Sequence, residues 1–276
     1  MERYIRAASL AGGLLLLLLT VGYFFRWPWA TGTWPWPDSR LSYIFLASIF
    51  AAIAAPLLWL GLTGEFGAAA PGALDLTVTY AGSTAYLAWL YGSRGGRYLL
   101  VAALASAAGL LVSALIYWRS RRVPLRDPRA MPVPVRLSFA LFAAVLVPVG
   151  AALLLRQPHI FPWPLGPESS VIFGWIYWGA AVYFLYGLLR PNWSNAAGQL
   201  IGFLAYDLVL IWPFLAHFAT VRPEHRRSLV VYTAFLVYSA GLAAYYLFVH
   251  RATRLGTRPE PRREGAMPTS SLAAHE

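Results

Sequence analysis

Long apolar stretches recur along the chain at residues 7–25, 42–62, 74–91, 98–118, 137–155, 170–189, 199–219 and 228–250, each bounded by Arg, Pro, Gly or Trp. A helix needs about 20 apolar residues to cross a hydrocarbon core about 30 Å thick. The pattern therefore predicts an all-α polytopic membrane protein of eight transmembrane helices. The third stretch is the most polar, carrying Asp75, Thr77, Thr79, Ser83 and Thr84. The first follows Arg3 and Arg6 and imitates a secretory signal, but its apolar run is too long, so it is read as a retained helix.

The eight stretches fall into two sets of four. Trp34-Pro35-Trp36-Pro37 lies between the first and second, and Phe161-Pro162-Trp163-Pro164 lies between the fifth and sixth. With the same approximate offset, Arg26 matches Arg156, Ile44-Phe45 matches Ile172-Phe173, Tyr80 matches Tyr206, and 109–119 matches 241–251. Such self-similarity marks an internal repeat. The expected organisation is a first four-helix repeat at 1–118, a basic Pro-rich cytoplasmic linker at 119–136, a second repeat at 137–250, and a disordered cytoplasmic tail at 251–276. Four spans per repeat preserve orientation, so the two tandem four-helix repeats should be related by an axis along the membrane normal.

Composition agrees with a membrane setting: 59% hydrophobic and 12% charged residues, where soluble domains average about 25% charged. All 22 basic residues other than His are Arg. Without Lys there is no Schiff base for retinal or pyridoxal phosphate, and without Cys there are no disulfides, thiolate metal sites or thioether haem. The net charge of +11 comes from arginines flanking the spans, where lipid headgroups and topology explain them and nucleic acid is not expected as a partner. With the N-terminus in the cytoplasm, fourteen arginines fall on that side and eight on the other. The positive-inside rule thus places both termini in the cytoplasm.

The Trp-Pro segments suit an outer membrane interface. Proline holds them extended, and Trp prefers the headgroup zone, so they read as an aromatic belt or as paired lips of an outer cavity. A Trp-Pro-Trp-type segment followed by a helix of small and aromatic residues resembles a loosely defined group of bacterial multi-pass membrane proteins with repeated segments of this kind. The resemblance rests on residues 34–37 with the helix from Ser42, and on 162–167 with the helix from Ser170. Asp38-Ser39 departs from it where the second half has Leu165-Gly166-Pro167. It implies the bacterial inner (cell) membrane and duplication, and brings no activity.

Asp207 falls near the middle of the seventh stretch, where an ionised carboxylate is costly and usually functional. Asp75 is its natural companion, though the two acids are not equivalent in the repeat. Thr77, Tyr80 and Thr84 form a polar stripe on the third helix, expected to face the seventh, so that Tyr80, Thr84, Tyr206 and Asp207 line a ligand-binding cavity between the repeats. Ordinary hydrogen bonding between helices is the bland reading of the same residues. His159, His217 and His225 fall on the outer side as weak candidates for zinc, but no helix carries zinc-ligand spacing, so neither a metal nor another cofactor is expected. Trp175, Trp178 and Tyr186 form an aromatic face, and Ala103, Ala107, Gly109 and Ser113 a small-residue face suited to packing within the bundle or against a second copy.

No nucleophile motif, paired carboxylates or catalytic triad appears. The reading is an integral membrane protein, not an enzyme, that binds or transports a small molecule, lipid or proton in a polar cavity between the repeats. A lipid-modifying membrane enzyme is one alternative. A scaffold or accessory subunit, acting as a homo-oligomer or with a partner in a membrane complex, is the other.

Overall fold

Backbone groups in a bilayer must be satisfied within their own segment, which favours helices over every apolar stretch. The computed structural model describes residues 2–127 and 129–256, and these are helical throughout apart from loops and one isolated bridge between Ala130 and Asn192. The elements are α1 (Glu2–Phe24), a one-turn α2 (Pro28–Thr31), α3 (Arg40–Thr63), a short 3₁₀ turn (Phe66–Ala68), α4 (Ala69–Arg94) and α5 (Arg97–Ser120). There follow α6 (Val133–Leu154), α7 (Pro167–Leu189), α8 (Trp193–His217) and α9 (Pro223–Ala244), the last continued by a π turn (Tyr245–Val249).

Seven of these helices are long and apolar enough to cross a membrane; α4 is the long helix that does not meet that measure. Its 26 residues reach roughly 39 Å, so polarity rather than length sets it apart. Helices α4, α8 and α9 begin five or six residues before the apolar stretches that announced them. Apolarity marks only the hydrocarbon-depth part of a helix, while Pro223 in the first turn of α9 marks its true start.

The ends of α1 and α6 share an uncommon closure. Arg26 (φ 57°) and Arg156 (φ 55°) both adopt the left-handed conformation, usually left to glycine. The Arg26 N–H donates to the Tyr23 carbonyl and the Trp27 N–H to Gly22; in the same pattern Arg156 donates to Leu153 and Gln157 to Ala152. Each closure satisfies two carbonyls at the helix end.

Consecutive helices pack as pairs, α1 on α3, α4 on α5, α6 on α7 and α8 on α9, and the pairs are tied together where α3 meets α8 and α4 meets α7. Close approach needs small residues. A Cβ at Gly82 of α4 would stand 1.9 Å from the Trp175 indole of α7, and one at Gly179 of α7 would stand 2.1 Å from Thr79 Oγ1. Gly202 of α8 sits over the Ala52 carbonyl of α3, whose usual helical donor is missing because Pro56 occupies that position. Phe45 and Phe173, both fully buried, meet at 4.5 Å between ring centroids. Outside, Leu111, Leu208 and Trp212 are among many large apolar side chains left exposed, the surface a lipid-facing bundle requires.

The loops gather at two ends. At one, Glu65 Oε1 accepts the Arg126 N–H at 2.8 Å, and the Arg126 guanidinium reaches the Thr63 carbonyl and Glu2. Met131 and Trp193 complete this end through backbone bonds to Pro191 and Arg129. Residues 251–256, expected to open a disordered tail, are instead turns in which Thr253 Oγ1 donates to the Tyr246 carbonyl; the remainder of that expectation, 257–276, lies outside the described residues. At the other end Arg94 pairs with Glu168 at 2.8 Å and Arg156 reaches the Tyr86 hydroxyl.

The Trp-Pro segments lie at this second end but are not a lipid-facing belt. Trp163 is buried, and its Nε1–H donates to Ser42 Oγ at 2.9 Å. Trp36 Nε1–H donates to Ser169 Oγ at 2.6 Å, and that hydroxyl donates to the Asp38 carboxylate. Each segment thus clamps the helix that begins in the other half of the chain. Trp27 and Trp29, just before the first segment, are exposed.

Candidate functional site

Between the helix pairs lies a partly open cavity of about 620 Å³. Every long helix contributes to its wall: Leu16 from α1, Ile53 and Pro56 from α3, Asp75, Thr79 and Tyr80 from α4, and Val112 from α5. From the second half come Val145 of α6, Tyr177 and Tyr183 of α7, Tyr206 of α8, and Tyr232 and Phe235 of α9. The wall is mostly apolar, with a few polar groups placed in it, the usual make-up of a small-molecule site.

The polar groups form two sets. Tyr177 donates to the Tyr232 hydroxyl at 2.7 Å, and Tyr232 shares a further hydrogen bond with Tyr206. Phe45, Phe161 and Phe214 pack around these rings. Tyr177 and Tyr206 also lie within reach of one another, so the three hydroxyls form one mutually bonded cluster on the cavity wall. The second set is Asp75 with Thr79, whose Oγ1 lies 3.3 Å from Asp75 Oδ1. Asp75 keeps some accessible surface although it lies deep among helices, as a side chain on a cavity wall must. Tyr183 lines the same wall, its own hydroxyl bonded to the Asn195 carbonyl at 3.3 Å.

The structure brings together Asp75, Tyr80 and Tyr206 of the residues singled out from sequence, and separates Thr84 and Asp207 from them. Thr84 Oγ1 bonds Ser106 of α5 at 3.0 Å, and Thr77 bonds Ser113 of α5 at 3.3 Å, so the polar stripe of α4 faces α5 and not α8. Asp207 is buried, 1% exposed, and absent from the cavity wall. Successive helical residues diverge by about 100°, so Tyr206 reaches the cavity while Asp207 turns to α9 and Ser239. Its two oxygens have no hydrogen-bond partner. Ser239 lies beside it, but the Ser239 hydroxyl points to the Phe235 carbonyl at 2.9 Å.

The three histidines serve the loop between α6 and α7. His225 Nδ1 meets the Phe161 carbonyl at 2.8 Å and His217 Nε2 the Pro162 carbonyl at 3.0 Å. The His159 carbonyl accepts from Ser228, and the His159 and His225 rings lie edge to face at 4.9 Å. Among the described residues no three His, Asp or Glu side chains are grouped to hold a metal ion. A smaller cavity of about 290 Å³ near His159 and His225 is lined by Trp163 but by neither Trp34 nor Trp36, so the segments are not its paired lips. The aromatic face of α7 is used in packing, Trp175 on Gly82 and Trp178 on Gly150, and the small face of α5 seats the Tyr80 ring on Gly109.

Tyr177 and Tyr232 were not singled out from sequence. Each is one of several aromatic residues in its helix, and only the assembled bundle brings their hydroxyls together. Comparison with family models, curated proteins and solved structures finds no match to this chain. What the fold defines is a class, an all-helical chain with seven helices able to span a membrane.

Proposed function

We propose that this chain is a bacterial inner-membrane protein of eight spans, two tandem four-helix repeats with cytoplasmic termini, that holds an apolar molecule drawn from the bilayer in its central cavity. The cavity carries the reading: about 620 Å³ with walls from all eight long helices matches a lipid-soluble ligand in volume and in character. Both halves build it, and the halves support a duplicated origin. Exchanging them maps α1–α3 onto α6–α7, α4–α5 onto α8–α9, and the α3–α8 contact onto α7–α4. The Arg26 and Arg156 closures, the Phe45–Phe173 contact and the paired cavity residues Tyr80 and Tyr206 obey the same exchange. That symmetry is of the kind produced by an axis along the membrane normal.

Native mass spectrometry of gently extracted protein tests the reading. A retained non-protein mass, lost when Ala180→Trp fills the cavity but the protein still melts cooperatively, is the expected result. An unliganded protein that shows no thermal shift with any of a panel of apolar lipids overturns it.

A further inference from the structure

The cavity wall is uneven in charge. Asp75 is its one carboxylate, whereas its Arg227 and His159 lie toward the opposite end, beside the loop between α6 and α7. Asp75 stands roughly 9 Å along α4 from Ala69, and the Thr79 hydroxyl, 3.3 Å from Oδ1, lies equally close to the Trp175 carbonyl. A carboxylate offers about four acceptor positions. No arginine or histidine among the described residues forms an ion pair with it. Gly179 of α7 packs directly on it, where a Cβ would stand 2.3 Å from Oδ1, so helix backbone closes that side and the ligand must approach from the cavity. Tyr80 and Tyr183 line the wall beside it.

We infer that the cavity selects a lipophilic organic cation, with the charged end of the ligand seated against Asp75 between the Tyr80 and Tyr183 rings. This rests on the reading of the cavity as a ligand site. An acid without a counter-ion in an apolar chamber is complemented by positive charge, and tyrosine faces attract cations through their ring quadrupoles. A metal ion would need several oxygen ligands at once, which Asp75 with one threonine does not supply. A compact, strongly hydrated ammonium would lose its water without regaining it from this wall. A cation whose charge is shielded by apolar groups meets both requirements, and the basic far end of the cavity directs its positive end toward Asp75.

Equilibrium dialysis of the full-length detergent-solubilised protein with tetraphenylphosphonium, and with neutral triphenylphosphine as control, tests this. The wild type should bind the cation more tightly than the neutral probe. Asp75→Asn should weaken the cation at least tenfold and shift the neutral probe less than twofold, with Asp75→Glu restoring cation binding and both variants melting as the wild type does. Equal cation affinity in the wild type and Asp75→Asn overturns the inference while leaving the cavity reading intact. Failure of both probes to bind the wild type overturns both.

Discussion

Asp75 and Asp207 are both acids within helices of the bundle, yet they stand in different surroundings. Asp75 has a threonine donor and an open cavity beside it, whereas Asp207 is enclosed without a hydrogen-bond partner. A buried polar group left unsatisfied costs about 1–3 kcal/mol, so Asp207 weakens the fold that contains it. Asp207→Leu should therefore melt in detergent at or above the wild-type temperature and no lower than Asp207→Asn. A loss of more than about 1 kcal/mol in the leucine variant would reveal a partner supplied by the membrane or by another chain. Glu65, in the loop between α3 and α4, poses a titration question instead. Burial pushes its carboxyl above the ordinary glutamate value of 4.5, outweighing the backbone donors of Arg126 and Asp127. The folded protein thus holds this proton more tightly than the unfolded chain, and the stability it contributes is complete below pH 4.5 and is lost as pH rises through the folded value. Melting scans from pH 4 to neutrality should show the wild type losing stability relative to Glu65→Gln as pH rises; parallel curves would refute that assignment.

At the scale of elements, the contact between α4 and α7 is the one most exposed to a single methyl group. A Cβ at Gly82 would lie over the Trp175 ring at 1.9–2.3 Å from its atoms, so Gly82→Ala should destabilise by about 1–3 kcal/mol through overpacking. Placing the same substitution on Trp175→Ala should cost little more than Trp175→Ala alone, since the clash is then gone. Additive losses in the double-mutant cycle would show that Gly82 matters for another reason. This contact also marks the limit of what the sequence conveys. Apolar stretches announce helices directly because the bilayer leaves no alternative, and the helices appear where expected, extended by the interfacial turns that hydropathy does not register. Which faces meet depends on small residues whose partners lie about a hundred positions away. Gly82 and Trp175 carried no mutual signal, and the Thr77–Thr84 stripe, legible as buried, turned to α5 because Ser106 and Ser113 offered hydroxyls there. The cavity was half legible for the same reason: Tyr80, Tyr206 and Asp75 stood out as polar residues in apolar runs, while Tyr177 and Tyr232 did so only once α7, α8 and α9 were assembled.

For the whole molecule, the decisive issue is whether α4 crosses the bilayer with the seven more apolar helices. Its beginning lies at the end of the bundle where Glu65 meets Arg126, and its last residue, Arg94, pairs with Glu168 at the other. Helix α3 arrives at the first of these ends and α5 departs from the second, so α4 runs between the same two ends of the bundle as its neighbours. Its threonines are shielded by α5, and Asp75 and Thr79 face α7 and the cavity, which removes the usual objection to polar groups at that depth. The chain has no cysteine, so single cysteines can report sidedness against a silent background. The exposed positions Thr63 and Arg122 belong to one end, and Tyr98 and Gln157 to the other. In intact cells an impermeant maleimide should label Tyr98→Cys and Gln157→Cys, and should reach Thr63→Cys and Arg122→Cys only after permeabilisation, as the arginine bias toward the cytoplasm requires. Labelling of Thr63→Cys and Tyr98→Cys from the same side would mean that α4 does not cross, leaving seven spans, opposite orientations for the two halves, and no axis along the membrane normal to relate them.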